Sequence, residues 1–283
     1  MILQKFALYP YSEETTQLYM KTTDNVVTDK EKVELKTLAK VNLETYFNLF
    51  SCLKWKKYVG VESVYLRLKL NGIVKVKIDH LQVKDGDVER HGVLDEEIQS
   101  DASGYVTSNE FTLPEKGMLG VIIEAVSESV LYEVDFSTDQ TGMEENDICI
   151  GIGICTFKRE KYVERNMNLL KEGILNNPAA EAYDHIKICI SDNAGTLEPE
   201  KIENPEIHVV KNKNLGGVGG FTRTMLEYLN GEEKISHVLL MDDDAIILPE
   251  TIERNYLFLK HLKKKLMRLF LEIVNLHLLK MRY

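Results

Sequence analysis

Two rhythms of apolar and polar positions divide the chain. Up to about residue 146 the alternation has a period of two. Val64, Leu66, Leu68 and Leu70 alternate with Tyr65, Arg67 and Lys69, and Val74, Val76 and Ile78 alternate with Lys75 and Lys77. Asn71-Gly72 lies between the two runs and predicts a hairpin turn there. A three-residue or bulged turn keeps the apolar sides together, pairing Leu70 with Val74 and Leu68 with Val76. Val130, Tyr132, Val134 and Phe136 give a further alternating strand. Short strands separated by Gly, Asp and Asn predict a small antiparallel sandwich. The charged stretch 29–40 reads as a loop or short helix.

At Asp147 the rhythm changes. Ile148 to Cys155 is an almost wholly apolar run, as a buried parallel strand requires. A helix is predicted from about Glu160 to Gly173. Strands follow at Ile186–Ser191 and Ile207–Val210, then a helix at Gly219–Asn230 and a strand at Val238–Met241. Pro249 opens another helix at the position where proline is best tolerated. Alternating strands and helices predict a doubly wound parallel sheet, whose ligands bind beyond the carboxyl ends of the strands. Those ends carry four polar clusters: residues 156–159, 192–193, 212–220 and 242–244.

Composition narrows the partners. The 283 residues suggest about two domains. A net charge of −10 argues against a general nucleic-acid binder but leaves room for a small phosphorylated ligand. Cys52, Cys149, Cys155 and Cys189 form no CxxC pair, and Cys149 and Cys155 would lie about 20 Å apart on one strand. They read as reduced thiols of a cytoplasmic protein. There is no uncharged apolar run long enough for a membrane span, and MILQKFALYP does not resemble a signal peptide. Trp55 with Tyr46, Phe47 and Phe50 reads as core, with a sugar platform as the alternative. His80 and His91 are too far apart in sequence for a local metal motif.

Two clusters carry candidate chemistry. In Asn214-Leu215-Gly216-Gly217-Val218-Gly219-Gly220-Phe221-Thr222 a GxGxxG register would place its third glycine on Thr222, and no GK[ST] follows. Neither a dinucleotide fingerprint nor a P-loop fits. What stays open is a closely packed turn, or a helix start whose bare amides approach a phosphate or sugar. Asp242-Asp243-Asp244 follows the apolar strand end VLLM. Three adjacent carboxylates repel unless a cation neutralises them. In an extended segment Asp242 and Asp244 share a side, so they can share one hard divalent ion with diphosphate oxygens.

With these clusters assembled, the sequence resembles the bacterial galactofuranosyltransferases, within the inverting GT-A glycosyltransferases. The resemblance rests on Thr156-Phe157-Lys158-Arg159, on Asn214 to Arg223, on Met241 to Asp244, and on Thr45-Tyr46-Phe47-Asn48. The family pattern in the first cluster is TFNR, so Lys158 departs from it. The resemblance implies an N-terminal antiparallel β-sandwich (1–146), an incomplete GT-A parallel α/β domain (147–262) and an atypical basic and apolar tail (263–283). It implies transfer of galactofuranose from UDP-galactofuranose to a surface glycan, in the cytoplasm, and at the inner face of the cell membrane if the acceptor is lipid-linked. dTDP-rhamnose stays open as donor, and so do a homo-oligomer and peripheral membrane contact.

The resemblance also implies roles. Thr156 and Phe157 line the uridine pocket, Arg159 touches the diphosphate, and Asp192 binds the uracil edge. Asn214, Gly216 and Gly217 frame the donor, Asp243 sits near the ribose or donor sugar, and Asp242 and Asp244 hold Mn²⁺ or Mg²⁺. The family's general base, a further metal-binding histidine and a tryptophan-containing acceptor segment lie further downstream, whereas this chain ends 39 residues after Asp244. His261 and His277 do not match the histidine position, and Glu253 and Glu272 are candidate bases by elimination only. The tail, with Arg268, Glu272 and Asn275 on one narrow stripe, is expected to reflect truncation or a frameshift; an ordinary packed helix and a membrane-surface helix are the alternatives. A non-catalytic nucleotide-binding or partner-binding fragment is the second functional reading.

Overall fold

The computed structural model describes residues 1–9, 15–29, 31–101 and 103–263. The expectations for the tail, including Arg268, Glu272, Asn275 and His277, lie outside the described residues. Two compact units are present: Met1–Glu144 with His261–Lys263, and a second unit that includes Glu145–Lys260.

The first unit is antiparallel. Its longest strand, β1 (Ser63–Lys84), pairs with β2 (Asp87–Asp101), β3 (Met118–Ala125) and β4 (Ser129–Ser137). Shorter strands, including Ile2–Lys5, Val33–Leu35 and Lys40–Asn42, extend this to a twelve-stranded sheet. Strand Val33–Leu35 lies in the stretch expected to be loop or helix; Val33 and Leu35 turn inward there. Val64, Leu66, Leu68, Leu70, Val74, Val76 and Ile78 are fully buried. Trp55 is buried and stacks on Phe50 at 6.0 Å, so it belongs to the core.

The expected hairpin at Asn71-Gly72 does not form. β1 runs through it, pairing with β4 before Gly72 and with β3 after it. The reason is in the phase: residues 64 to 78 keep their even-numbered side buried across Gly72. Gly72 has φ +116 and lies against Ser129 and the Glu128 carbonyl, so it allows a close backbone approach. The reversal occurs at Asp85-Gly86, where both residues have positive φ (53 and 92), as a two-residue hairpin turn needs.

The second unit holds a four-stranded parallel sheet. Its elements are β5 (Ile150–Thr156), α1 (Glu160–Leu170), β6 (Ile186–Asp192), β7 (Ile207–Lys211), α2 (Gly216–Asn230), β8 (His237–Asp242) and α3 (Pro249–His261). The strand order is β7-β6-β5-β8. β5 and β6 are buried on both faces, which explains the apolar run of β5 and the isoleucines and Cys189 of β6, with Lys187 the half-buried exception. α2 seats on the glycines of β5: a side chain at Gly151 would meet Tyr228, and one at Gly153 would meet Thr224.

The expected fold class, a sandwich followed by an incomplete GT-A domain, is corrected. Among the described residues antiparallel strands dominate, twelve against four, and the α/β content is confined to this small sheet. The structure does not show a GT-A domain. The physical reason is that strand–helix alternation specifies local parallel neighbours and their crossovers, not the extent of the sheet they build.

Candidate functional site

The parallel register brings the strand ends together. Thr156 is level with Asp192, Cys155 with Asp242, and Asp192 with Lys211. The four polar clusters therefore share one edge of the second unit.

The acidic cluster is organised by its neighbours. Asp242 and Asp244 are exposed, while Asp243 is buried at 7 % exposure. Thr156 Oγ1 donates to Asp243 Oδ2 at 2.8 Å. Arg159 Nη1 donates to Asp244 Oδ2 at 2.6 Å and to Asp243 Oδ1 at 3.4 Å. A cation of the chain itself thus answers part of the repulsion among the three carboxylates. In return Arg159 is held more firmly protonated, chiefly by its bond to Asp244 and then by the charge of Asp243.

The turn backbone is held from α1. Asn166 Nδ2 donates to the Asp243 and Ala245 carbonyls at 3.1 and 2.8 Å. Arg165 Nη2 donates to the Ala245 carbonyl at 3.0 Å. The sequence reading singled out neither residue. The available signal was a polar residue on an apolar helix face, since Asn166 shares the buried side of α1 with Val163, Met167 and Leu170.

Asp192 is 1 % exposed, and its carboxylate accepts the amides of Ala194, Gly195 and Leu197 at 2.9–3.0 Å. It organises its own loop. Asn193 donates to Cys155 Sγ and to the Gly216 carbonyl, and Asn212 donates to Asn193 Oδ1 at 2.9 Å. This amide chain ties the end of β6 to the glycine loop. Burial pushes the Cys155 thiol up, with Asp243 and Asp242 adding to it, so it is a poor nucleophile.

The glycine loop has two halves. Gly219 packs against Leu215 and Gly220 against Cys155, leaving no room for a side chain. Gly216 borders open space, and Gly217 meets only the Phe221 ring at 3.9 Å. The start of α2 has no side-chain cap, and Asn214 Oδ1 accepts the Gly216 amide at 3.3 Å. The close packing expected of the loop is thus found at Gly219 and Gly220, while Gly216 and Gly217 are less crowded. Phe157 is 45 % exposed beside Lys158, whose Nζ lies 5.5 Å from the ring centroid.

Among the described residues no group of three or more His, Cys, Asp and Glu side chains is arranged to hold a metal ion. Asp242 and Asp244 offer two exposed carboxylates, the donor set of a divalent ion that takes its other oxygens from phosphate and water. Glu253 accepts the Glu181 amide at 2.7 Å, and His261 is buried with Nδ1 3.2 Å from the Glu144 carbonyl. Neither lies in the acidic cluster's hydrogen-bond network. Glu272 lies outside the described residues.

Residues 4–120 match the family model described as galactofuranosyltransferase 2 N-terminal. The chain is 21% identical over 229 residues to galactofuranosyltransferase GlfT2 of Mycolicibacterium smegmatis, which covers 80% of this chain and 35% of that protein. It is 23% identical over 234 residues to GlfT2 of Mycobacterium tuberculosis, covering 76% of this chain and 34% of that protein. The chain thus spans about a third of the length of these curated relatives. Among solved structures, the CBM22-1 xylan-binding domain from Paenibacillus barcinonensis Xyn10C is similar at a TM-score of 0.29 and 11% identity, covering 50% of this chain and 97% of that chain. The family model and both curated relatives agree with the resemblance carried by the sequence motifs: the chain is a GlfT2-like protein.

Proposed function

We propose that the second unit binds the nucleoside diphosphate of UDP-galactofuranose at the edge formed by residues 156–159, 214–217 and 242–244, as part of galactofuranosyl transfer with inversion to a glycan acceptor. One observation carries the reading: Asp242 and Asp244 stay exposed on either side of a buried Asp243 that Thr156 and Arg159 hold in place. The uncrowded glycines Gly216 and Gly217 stand at the start of α2, where backbone amides favour phosphate oxygens, although Asn214 Oδ1 already accepts the Gly216 amide.

In this reading Asp242 and Asp244 hold Mn²⁺ or Mg²⁺. When bound, the ion neutralises charge developing on the departing diphosphate. Arg159 adds a fixed positive charge on the same side. Phe157 offers its exposed ring to the uracil, and Asn214 with the two glycines frames the donor. Asp243, fixed by Thr156, keeps the turn in one conformation beside the ribose or donor sugar. Asp192 acts through the loop it holds, and any uracil contact uses carboxylate lone pairs that the three amides leave free. Deprotonation of the acceptor hydroxyl is assigned to no described residue.

The test is calorimetric titration of the purified chain with UDP, with and without Mn²⁺. Binding is expected to tighten by about tenfold or more with Mn²⁺, and that gain should vanish in Asp242→Asn plus Asp244→Asn. UDP affinity that ignores both the ion and the double substitution would remove the site assignment. Competition between UDP and dTDP separates the two donor classes. Transfer from labelled UDP-galactofuranose to a galactofuranose oligomer separates catalysis from binding alone.

A further inference from the structure

The ladder between β5 and β8 ends at the Cys155–Asp242 pair. Past it, the backbone of the acidic turn has no strand partner, yet part of it is buried. Buried backbone groups without partners are destabilising. Asn166 in α1 supplies them. Its side chain is fully buried and spans the whole turn. Nδ2 donates to the carbonyls of Asp243 and Ala245, and Oδ1 accepts the Ile247 amide at 3.3 Å. Arg165 Nη2 closes the set, donating to Asn166 Oδ1 at 3.4 Å, to the Ala245 carbonyl at 3.0 Å and to the Asp244 carbonyl at 3.4 Å.

We infer that Asn166 is a positioning residue that sets the Asp244 carboxylate against that of Asp242 by holding the backbone of residues 243–247, with Arg165 as its outer partner. The inference rests on the reading of this edge as the diphosphate and metal site. An amide side chain has two donor hydrogens and an acceptor oxygen. Here both donors go to carbonyls and the acceptor takes an amide, so the donor and acceptor ends are not interchangeable. Apart from the Arg165 contact, every one of these bonds ends on the acidic turn, and none joins core elements to each other. The backbone dihedrals of a residue set its Cα–Cβ bond, from which its carboxylate starts. Asp242 is held by its pairing with Cys155 at the end of β8, so loosening residues 243–247 disperses the Asp244 carboxylate relative to Asp242 while leaving β5 and β8 paired. Residues that orient metal ligands in this way typically change metal affinity by about 10–100-fold when altered.

Asn166→Asp is the sharpest variant. It keeps the volume and the acceptor for Ile247 but turns an acceptor oxygen toward two carbonyls. Three readouts are taken on the full chain: UDP affinity without metal, the gain in UDP affinity on adding Mn²⁺, and amide hydrogen exchange. The expected result is a Mn²⁺ gain reduced by about tenfold or more with metal-free UDP affinity within about twofold of the parent. Exchange should quicken at residues 244–247 and stay unchanged in β5 and β6. An unchanged Mn²⁺ gain and unchanged exchange in a folded variant would overturn the inference. So would equal loss of metal-free and metal-dependent binding, which marks a merely structural role. If Asn166→Asp does not fold, Arg165→Gln takes its place, with the same pattern at smaller size. If the parent shows no Mn²⁺-dependent UDP binding, the functional reading of the edge fails. Amide exchange then decides the positioning role by itself, through selective loosening of residues 244–247 or its absence.

Discussion

Thr156 Oγ1 and Asp243 Oδ2 share a 2.8 Å hydrogen bond between the ends of β5 and β8, with both side chains buried. The carboxylate also accepts Arg159 Nη1, at 3.4 Å. Thr156→Val preserves shape and deletes the donor, leaving a buried carboxylate under-satisfied. The variant should lose about 1–3 kcal/mol in urea unfolding, whereas Thr156→Ser should stay within about 0.5 kcal/mol of the parent. Equal losses in the two variants would show that the methyl group, not the hydroxyl, matters.

Gly220 sits where α2 crosses β5, and a Cβ there would run into the Cys155 sulfur. Gly220→Ala should destabilise by about 1–3 kcal/mol through overpacking. Cys155→Ala removes the nearest atom but not Cys155 Cβ, 2.9 Å from the same point. The double variant should recover part of the loss, with a coupling of about 0.5–3 kcal/mol in a double-mutant cycle. Strict additivity would place the strain elsewhere in α2.

In the first unit, fully buried Asn48 joins two chain segments. Its Oδ1 accepts the Ala7 amide at 2.8 Å, and its Nδ2 donates to the carbonyls of Ala7 and Tyr19 at 2.8 and 2.7 Å. Asn48→Leu keeps approximate volume and removes the partner of the Ala7 amide and carbonyl, while the Tyr19 carbonyl still accepts Thr45 Oγ1 at 2.7 Å. A loss of about 3 kcal/mol or more is expected in denaturant unfolding. A loss under about 1 kcal/mol would mean that water replaces the amide without strain.

How far the sequence could be read depends on what each pattern specifies. Apolar runs such as 148–155 and 186–190 mark buried parallel strands because both faces are covered. The burial of Asp243 between exposed Asp242 and Asp244 matches the alternation expected of an extended segment, yet Asp243 lies in the turn after β8 and is held there by Thr156 and Arg159. Asn71-Gly72 misled because its dipeptide is a turn signal, while the unbroken even-numbered phase from Val64 to Ile78 was the better guide. The extent of the α/β sheet was not legible, since local alternation does not count strands. Asn166 was hidden for another reason: its partners are backbone groups 77 to 81 residues away, which no local spacing encodes.

His237 opens β8, with Nδ1 3.0 Å from Ser236 Oγ. Burial lowers its pKa below the ordinary 6.5. As pH falls, the unfolded chain takes up this proton before the folded one does. The stability contributed by the neutral ring is therefore complete above about pH 6.5 and declines as pH drops through the lowered folded value. His237→Gln should flatten the stability profile between about pH 7 and pH 5 relative to the parent. An identical slope in both proteins would assign the acid sensitivity to another group.

Lys158 has φ +55, a left-handed conformation that costs a side-chain-bearing residue about 1–2 kcal/mol and that asparagine tolerates better. The galactofuranosyltransferase pattern TFNR has asparagine at this place. The lysine gains little in exchange. It is exposed, and its Nζ lies 5.5 Å from the Phe157 ring centroid, a contact worth about 0.5–1 kcal/mol at a surface. Lys158→Asn should raise stability by about 0.5 kcal/mol net, because relief of the backbone slightly exceeds the lost contact. Lys158→Ala removes the contact and keeps the strain, so it should fall below the parent by a similar amount. The order Asn above Lys above Ala in melting temperature is the check. An asparagine variant no more stable than the alanine variant would show that the surrounding loop, not residue 158, sets that backbone angle.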